Sequence, residues 1–332
     1  MRPGMTSQAS RSTVSASEVQ LGRSGLRVSR VGLGCNNFGG RLNLEGSRAV
    51  IHAALDAGIT FFDTADVYGN KGASESILGE VLGSRRQDIV LATKFGNPMD
   101  EAGRLRGGSR WHVTSAVEAS LRRLKTDWID LYQLHKPDPT TPIEETLKAL
   151  DDLVRSGKVR YIGASNLGAW QVVEAQWLAR ELGTERFISS QDEYSLLKRD
   201  AEQELIPALR SYQLGLLPFF PLANGLLTGK YRRGKSLPEG ARLSQGGSLA
   251  ERYLTADHLT KVERLHAFAV ERGRSLLELA FSWLASQPVV GSIIAGASTP
   301  EQVRANVEAP AWRLEDSDLR EIDRLLALPV GA

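Results

Sequence analysis

Cysteine is almost missing from this chain: its 332 residues hold one, Cys35, which excludes an internal disulfide framework and fits a reducing compartment. Long apolar runs are missing too, none approaching the ~18 residues that span a bilayer, so no membrane partner is expected. No one sign of charge dominates. With 41 basic and 39 acidic residues the net charge is +2, which gives no broad basic face for nucleic acid. The five histidines (His52, His112, His135, His258, His266) lack ligand spacing among themselves or with Cys35, so no metal site is expected. Residues 1–17 are rich in Ser, Thr and Ala without an apolar signal core and read as a disordered tail, leaving 18–332 as one domain. A cytoplasmic location follows by default.

What is present is an alternation of strand and helix. A turn at Arg23-Ser24-Gly25 makes a hairpin out of residues 18–30. Eight strands follow, beginning at Val31, Thr60, Ile89, Ile129, Val159, Phe187, Gly215 and Gly291, with helices between them. This pattern predicts an α/β fold, a (β/α)8 TIM barrel with an N-terminal β-hairpin and extra helices outside the barrel. Two helices carry start signals, Thr141-Pro142-Ile143-Glu144 and Thr299-Pro300-Glu301-Gln302, each a threonine cap, a proline and a Glu or Gln closing a capping box. The glycines at 32, 34 and 39 miss the spacing of a dinucleotide fingerprint, which excludes the Rossmann reading. The stretch 222–256 is long, glycine-rich and basic, a length typical of lids and binding loops. Its densest cationic segment, Lys230 to Lys235, reads either as a solvated loop or as a contact for a ligand phosphate.

The chemistry concentrates at the strand ends. The run Phe61-Phe62-Asp63-Thr64-Ala65-Asp66-Val67-Tyr68-Gly69 closes a strand with an acid and places a phenol five residues later. Lys94 and His135 end the next two strands, and Ser165, Asn166 and Gln191 the two after those. In a parallel barrel these ends share the rim that holds active sites. A phenol with a reference pKa of about 10 is a weak acid; a nearby ammonium lowers that value, so Tyr68 beside Lys94 suits protonation of a developing alkoxide. Asp63 would position Lys94, and His135 would orient a carbonyl. The quartet supplies protons but no electron pair, so it needs a hydride source.

In these residues the chain resembles the aldo-keto reductase family, of bacterial type. The blocks that carry the resemblance include Phe62–Gly69, Ala92–Lys94, Asp127–His135, Gly157–Asn166, Pro221–Lys230 and Ile294–Ser298, spread over about residues 19 to 328. The resemblance implies reduction of an aldehyde or ketone, a small-molecule carbonyl substrate, by hydride from NADPH or NADH. Tyr68 is then the general acid, assisted by Lys94, Asp63 and His135. It assigns Ser165, Asn166 and Gln191 to the nicotinamide carboxamide, Phe219 to stacking under the ring in place of the usual tyrosine, and Leu222, Gly225 and Lys230 to the pyrophosphate. Gly296, Ser298, Gln302 and Asn306 fall at the adenosine end, where the start of the helix after Thr299 suits a phosphate. Gly296 and Gln302 stand where many members carry a lysine or arginine, which leaves NADPH against NADH open, with Arg304 either a substitute or a plain surface residue. Substrate contacts are expected from Asn36-Asn37-Phe38, from residues 97–108 with Arg104 and Arg106, from Trp111, and from 222–256. Some relatives act as nicotinamide-reporting partners of membrane proteins, so the alternative is a cofactor-binding sensor or regulatory subunit with slow turnover. The sequence names no oligomeric partner.

Overall fold

In the computed structural model the described residues are 17–328. The tail expected at 1–17 therefore lies outside them apart from Ser17, whose carbonyl accepts a hydrogen bond from Arg30 N at 2.7 Å. A two-stranded antiparallel hairpin comes first, β1 (Glu18–Gln20) and β2 (Arg27–Ser29). Eight parallel strands follow: β3 (Val31–Gly34), β4 (Phe61–Asp63), β5 (Val90–Phe95), β6 (Ile129–Leu134), β7 (Val159–Ser165), β8 (Ser189–Gln191), β9 (Gly215–Leu216) and β10 (Ile293–Gly296). Their spatial order is β10-β3-β4-β5-β6-β7-β8-β9. The two ends meet. Leu216 N donates to Val289 O at 2.7 Å, Gly291 N to Leu216 O at 2.9 Å, and Ile294 N to Pro218 O at 3.0 Å, so backbone bonds join the β9 and β10 edges.

Helices α1 (Leu44–Asp56), α2 (Tyr68–Leu82), α3 (Arg110–Leu124), α4 (Ile143–Arg155), α5 (Ala169–Leu182) and α6 (Leu205–Tyr212) connect successive strands. After β9 come α7 (Gly247–Tyr253), α8 (Ala256–Glu271) and α9 (Leu276–Ala285); α10 (Pro300–Glu308) and α11 (Asp316–Ala327) close the described chain. The expected strands at 187–193 and 215–220 shrink to three and two residues. Of the two capping boxes, the second forms in part: Thr299 accepts from Gln302 N, but the Gln302 side chain bonds Ser298 instead of closing the box. The first does not form. Pro142 occupies the cap position, and the Thr141 hydroxyl turns back to Asp138 Oδ2 at 2.7 Å.

Strand parity explains how this framework aims the polar groups. Successive side chains point to opposite faces. One buried cluster, Leu21, Val28, Phe61, Ala92, Leu131, Leu217 and Ile294, combines the hairpin with residues lining the barrel interior. A larger one fills the layer between strands and helices and takes the alternate positions Phe62, Leu91 and Tyr132. Counting by twos from the interior set gives Asp63 from Phe61, Lys94 from Ala92, and Gln133 then His135 from Leu131. The hairpin thus plugs one end of the barrel with apolar side chains while the other end receives the polar ones.

Candidate active site

At that end Lys94 is fully buried and its ammonium sits among three oxygens: Asp63 Oδ2 at 2.7 Å, the Thr64 carbonyl at 2.8 Å and Tyr68 Oη at 3.5 Å. Burial alone depresses the lysine pKa, but the charge of Asp63, with Tyr68 and the hydrogen bonds, outweighs it and leaves the value raised, so the ammonium is the stable form. For Tyr68 the balance is the other way. Burial pushes the phenol up more strongly than Lys94 pulls it down, which corrects the expectation of a lowered value. The phenol therefore holds its proton at neutral pH, with a cation in place to stabilise the phenolate once the proton leaves.

The backbone after Tyr68 is unusual. Gly69, Asn70, Lys71 and Gly72 all have positive φ (65, 58, 64 and 118°), a left-handed turn before the regular helix begins. Such conformations cost ordinary L-residues roughly 1–2 kcal/mol each. At Gly69 a Cβ would stand 2.4 Å from the Phe38 carbonyl, so only glycine fits there. The turn redirects the chain from the strand end into α2.

His135 follows β6 directly, and its ring meets that of Tyr68 edge-on at 5.7 Å between centroids. Asn97 Nδ2 lies 2.9 Å from His135 Nδ1. An amide nitrogen can only donate, so Nδ1 accepts and the imidazole proton sits on Nε2. Burial, then the charges of Lys94 and Lys136, bring its pKa down to about 2, and the ring stays neutral.

The expected carboxamide set is assembled beside this group. Ser165 Oγ donates to the Gln191 carbonyl at 2.8 Å; Asn166 Nδ2 donates to the His135 carbonyl at 3.0 Å and to Ser165 Oγ at 2.9 Å. Gln191 Nε2 donates to Asp63 Oδ1 at 2.8 Å. Gln133 was missed from sequence, and Asn97, expected only as part of the substrate loop 97–108, takes a role on His135. Gln133, fully buried, also donates to Asp63 Oδ1 at 3.3 Å, and Asn97 fixes the histidine tautomer. Counting back two from His135 was signal enough to find Gln133; Asn97 sits on a loop without such a rule. Gly163 makes room for Gln133, since a Cβ there would lie 3.3 Å from its Cγ and 2.7 Å from Ser189 Oγ. Behind the site, fully buried Glu75 on α2 accepts from Thr93 Oγ1 at 2.5 Å and Arg123 at 2.7 Å, while both oxygens of Asp66 are buried with no side-chain partner among the described residues. Burial and the charge of Glu75 raise the Asp66 pKa to about 8.

Residues 222–256 fold over the rim as an ordered lid. Tyr231, Leu243 and Tyr253 are buried in it; Arg252 and Tyr253 bond Glu193. Arg242 ties the lid to the barrel, donating to Asn37 Oδ1 at 3.0 Å and Asn224 Oδ1 at 3.3 Å. Asn37 in turn donates to the Ala297 carbonyl at 3.1 Å, and Phe38 is wholly in the core, so these two are structural and not open substrate contacts. Arg41, Lys230 and Arg242 form a cationic group with no carboxylate in ion-pair range among the described residues. Burial and their mutual repulsion lower the pKa values of Lys230 and Arg242. Gly225 (φ 96°) lets the lysine approach, because a Cβ would be 3.1 Å from Lys230 Cε. Leu222 and Phe219 are half-buried, and Phe219 stands edge-on to Phe220 at 5.1 Å. At the β10 end, Ser298 N and Oγ both contact Gln302 Oε1, at 2.8 and 3.0 Å; Asn306 is buried and Gly296 is exposed. Arg304 pairs with Glu301 at 2.8 Å on the surface. Trp111 is exposed and Arg104 lies at 4.0 Å from Asp100.

Comparison with known proteins identifies the family. The model of the aldo/keto reductase family matches residues 30–327. The chain is 39% identical over 321 residues to the uncharacterized oxidoreductase YrpG of Bacillus subtilis (strain 168), covering 94% of this chain and 96% of that one. It is 41% identical over 300 residues to a probable voltage-gated potassium channel subunit beta of Oryza sativa subsp. japonica (87% and 89% covered). To the L-glyceraldehyde 3-phosphate reductase of Escherichia coli (strain K12) it is 35% identical over 318 residues (92% and 91%). The chain belongs to the aldo/keto reductase family. It is an NAD(P)H-dependent oxidoreductase acting on carbonyl groups. No helix among the described residues is long and apolar enough to cross a membrane.

Proposed function

We propose that the protein is an NADPH-dependent reductase of an aldehyde or ketone, with Tyr68 as the proton donor. The observation that carries this reading is the Lys94 ammonium, held by Asp63 and directed at the Tyr68 hydroxyl. The residues present fit the cofactor. Gln191 uses its amide nitrogen on Asp63 and leaves Oε1 for the carboxamide, beside Ser165 and Asn166. Phe219 offers a ring for stacking. Arg41, Lys230 and Arg242 are cations without anionic partners among the described residues, suited to the pyrophosphate under the lid at Leu222 and Gly225. The Ser298 N–H, Gln302 and Asn306 are assigned to the adenosine end, with Gly296 leaving it open; Gln302 would yield Ser298 to a phosphate.

NADPH, when bound, supplies the hydride. The chain does the rest. His135 Nε2–H donates to the substrate oxygen and fixes its direction, and its neutrality keeps it a hydrogen-bond donor throughout the working pH range. Tyr68 gives its proton to the alkoxide oxygen as negative charge grows there. Lys94 stabilises the phenolate left behind, and Asp63 keeps Lys94 charged. The lid excludes water.

The test is a fluorescence titration with NADPH and NADH on the wild-type protein and Arg242→Met, followed by carbonyl substrates in the same samples. Tight NADPH binding with oxidation on addition of a carbonyl is expected. Arg242→Met should weaken both cofactors by a similar factor, about tenfold or more, as loss of a charge-assisted bond to a shared pyrophosphate would. A loss confined to NADPH would move Arg242 to the 2′-phosphate. Binding without oxidation would favour the sensor reading, which the potassium channel subunit among the relatives keeps in view.

A further inference from the structure

Tyr68 and Lys94, the pair assigned to proton transfer, stand on different elements: the tyrosine opens α2 and the lysine belongs to β5. Their separation depends on how α2 is fastened to β5. Before Tyr68 the chain is tied by backbone, Thr64 N donating to Ala92 O at 2.9 Å and Asp66 N to Lys94 O at 3.1 Å. After it come Gly69, Asn70, Lys71 and Gly72, all at positive φ, a conformation that Asn70 and Lys71 do not favour on their own. The far end of that turn needs its own anchor. Glu75 supplies one, its fully buried carboxylate accepting from Thr93 Oγ1 at 2.5 Å through one oxygen and from Arg123 Nε at 2.7 Å through the other. Thr93 precedes Lys94 and, by strand parity, points out of the barrel toward the helix layer. The surroundings are closely fitted. A Cβ at Gly72 would stand 2.6 Å from Arg123 Cδ, and one at Gly79 2.3 Å from the Arg123 carbonyl, so both glycines let α2 lie against Arg123.

We infer that Glu75 and Thr93 are positioning residues for the reduction, their hydrogen bond setting the distance between the Tyr68 hydroxyl and the Lys94 ammonium. The inference rests on the reductase reading given above. Tyr68 lies between two ties to β5, the Asp66–Lys94 backbone bond before it and the Glu75–Thr93 bond after it. At 3.5 Å the contact between Tyr68 and Lys94 is already at the limit of a hydrogen bond, so a small retreat of α2 breaks it. Arg123 holds the carboxylate from the α3 side and leaves Thr93 the other oxygen.

The test is single-turnover oxidation of NADPH by a carbonyl substrate in Thr93→Val, Thr93→Ser, Glu75→Asp and the double variant Thr93→Val/Glu75→Asp, with the NADPH Kd and thermal melts alongside. Valine keeps the shape of threonine without its hydroxyl, serine keeps the hydroxyl, and aspartate is one methylene too short to bond both Thr93 and Arg123. Thr93→Val should lower the rate about tenfold, the scale of a displacement of roughly 0.5 Å, with the NADPH Kd within about twofold of wild type. Thr93→Ser should restore most of the rate. The double variant should be no slower than the slower single one, because both cut the same bond. A Thr93→Val protein that melts earlier yet reduces at the wild-type rate would make the bond purely structural and overturn the inference. So would a Thr93→Ser rate as low as that of Thr93→Val, or a double variant whose loss is the product of the two single losses. A wild-type protein that binds NADPH and reduces no carbonyl refutes the reductase reading and this role with it; an active wild type with an indifferent Thr93→Val refutes this role alone.

Discussion

Gln191 Nε2 donates to Asp63 Oδ1 across 2.8 Å, joining a residue assigned to the cofactor to the carboxylate that holds Lys94. Gln133 reaches the same oxygen at 3.3 Å from the adjacent inward position of β6. The two amides share one acceptor but should differ in effect. Gln191→Leu removes a bond to Asp63 and a partner for the carboxamide, so it should raise the NADPH Kd and lower kcat. Gln133→Leu should lower kcat about tenfold, the scale of one long charge-assisted bond, and leave the NADPH Kd within about twofold. Titration and steady-state kinetics on both variants decide it. Equal losses of cofactor affinity would contradict the division.

The Asn97 amide holds the His135 proton on Nε2, and burial keeps the ring neutral. The wild-type kcat should therefore show no histidine ionisation between about pH 5 and 8, where an unperturbed imidazole would titrate. Asn97→Asp replaces a donor by a carboxylate, which pulls the proton to Nδ1 and raises the histidine pKa. That variant should gain an ionisation in this window and lose turnover, which a kcat against pH profile will reveal. A wild-type profile with a break near 6.5 would contradict the neutral ring.

Asp66 bears on stability. Its carboxyl holds a proton up to about pH 8 in the folded chain, against 3.8 for the free side chain. Between those values the unfolded chain binds fewer protons, so this residue lowers stability as pH rises. Asp66→Asn mimics the protonated acid and removes that slope. Thermal melts should show the variant gaining over wild type, by on the order of a few kcal/mol near pH 8 and less near pH 5. A gain that is larger at pH 5 would reverse the sign and refute it.

Much of this was legible in the sequence because strand ends and turns are local patterns. The barrel, the hairpin, and the placement of Asp63, Lys94 and His135 on one rim follow from where apolar runs stop. What was not legible depends on contacts far apart in the chain. The competition between burial and Lys94 at Tyr68 needed distances, and its outcome ran against expectation. The partners of Asn37 and Arg242 come from residues up to about 260 positions away, so loop residues that looked free for substrate turned out to hold the lid and the core. Thr141 looked like a cap because the motif is local, but Asp138 competes for its hydroxyl.

The central claim is that Tyr68 gives up the proton and nothing else does. The direct measurement is single-turnover oxidation of NADPH by Tyr68→Phe, alongside its NADPH Kd. The account predicts an NADPH Kd within about twofold of wild type and a rate reduced at least a hundredfold, the lower range for loss of a general acid. A Tyr68→Phe rate within tenfold of wild type, with the cofactor still bound, would contradict it.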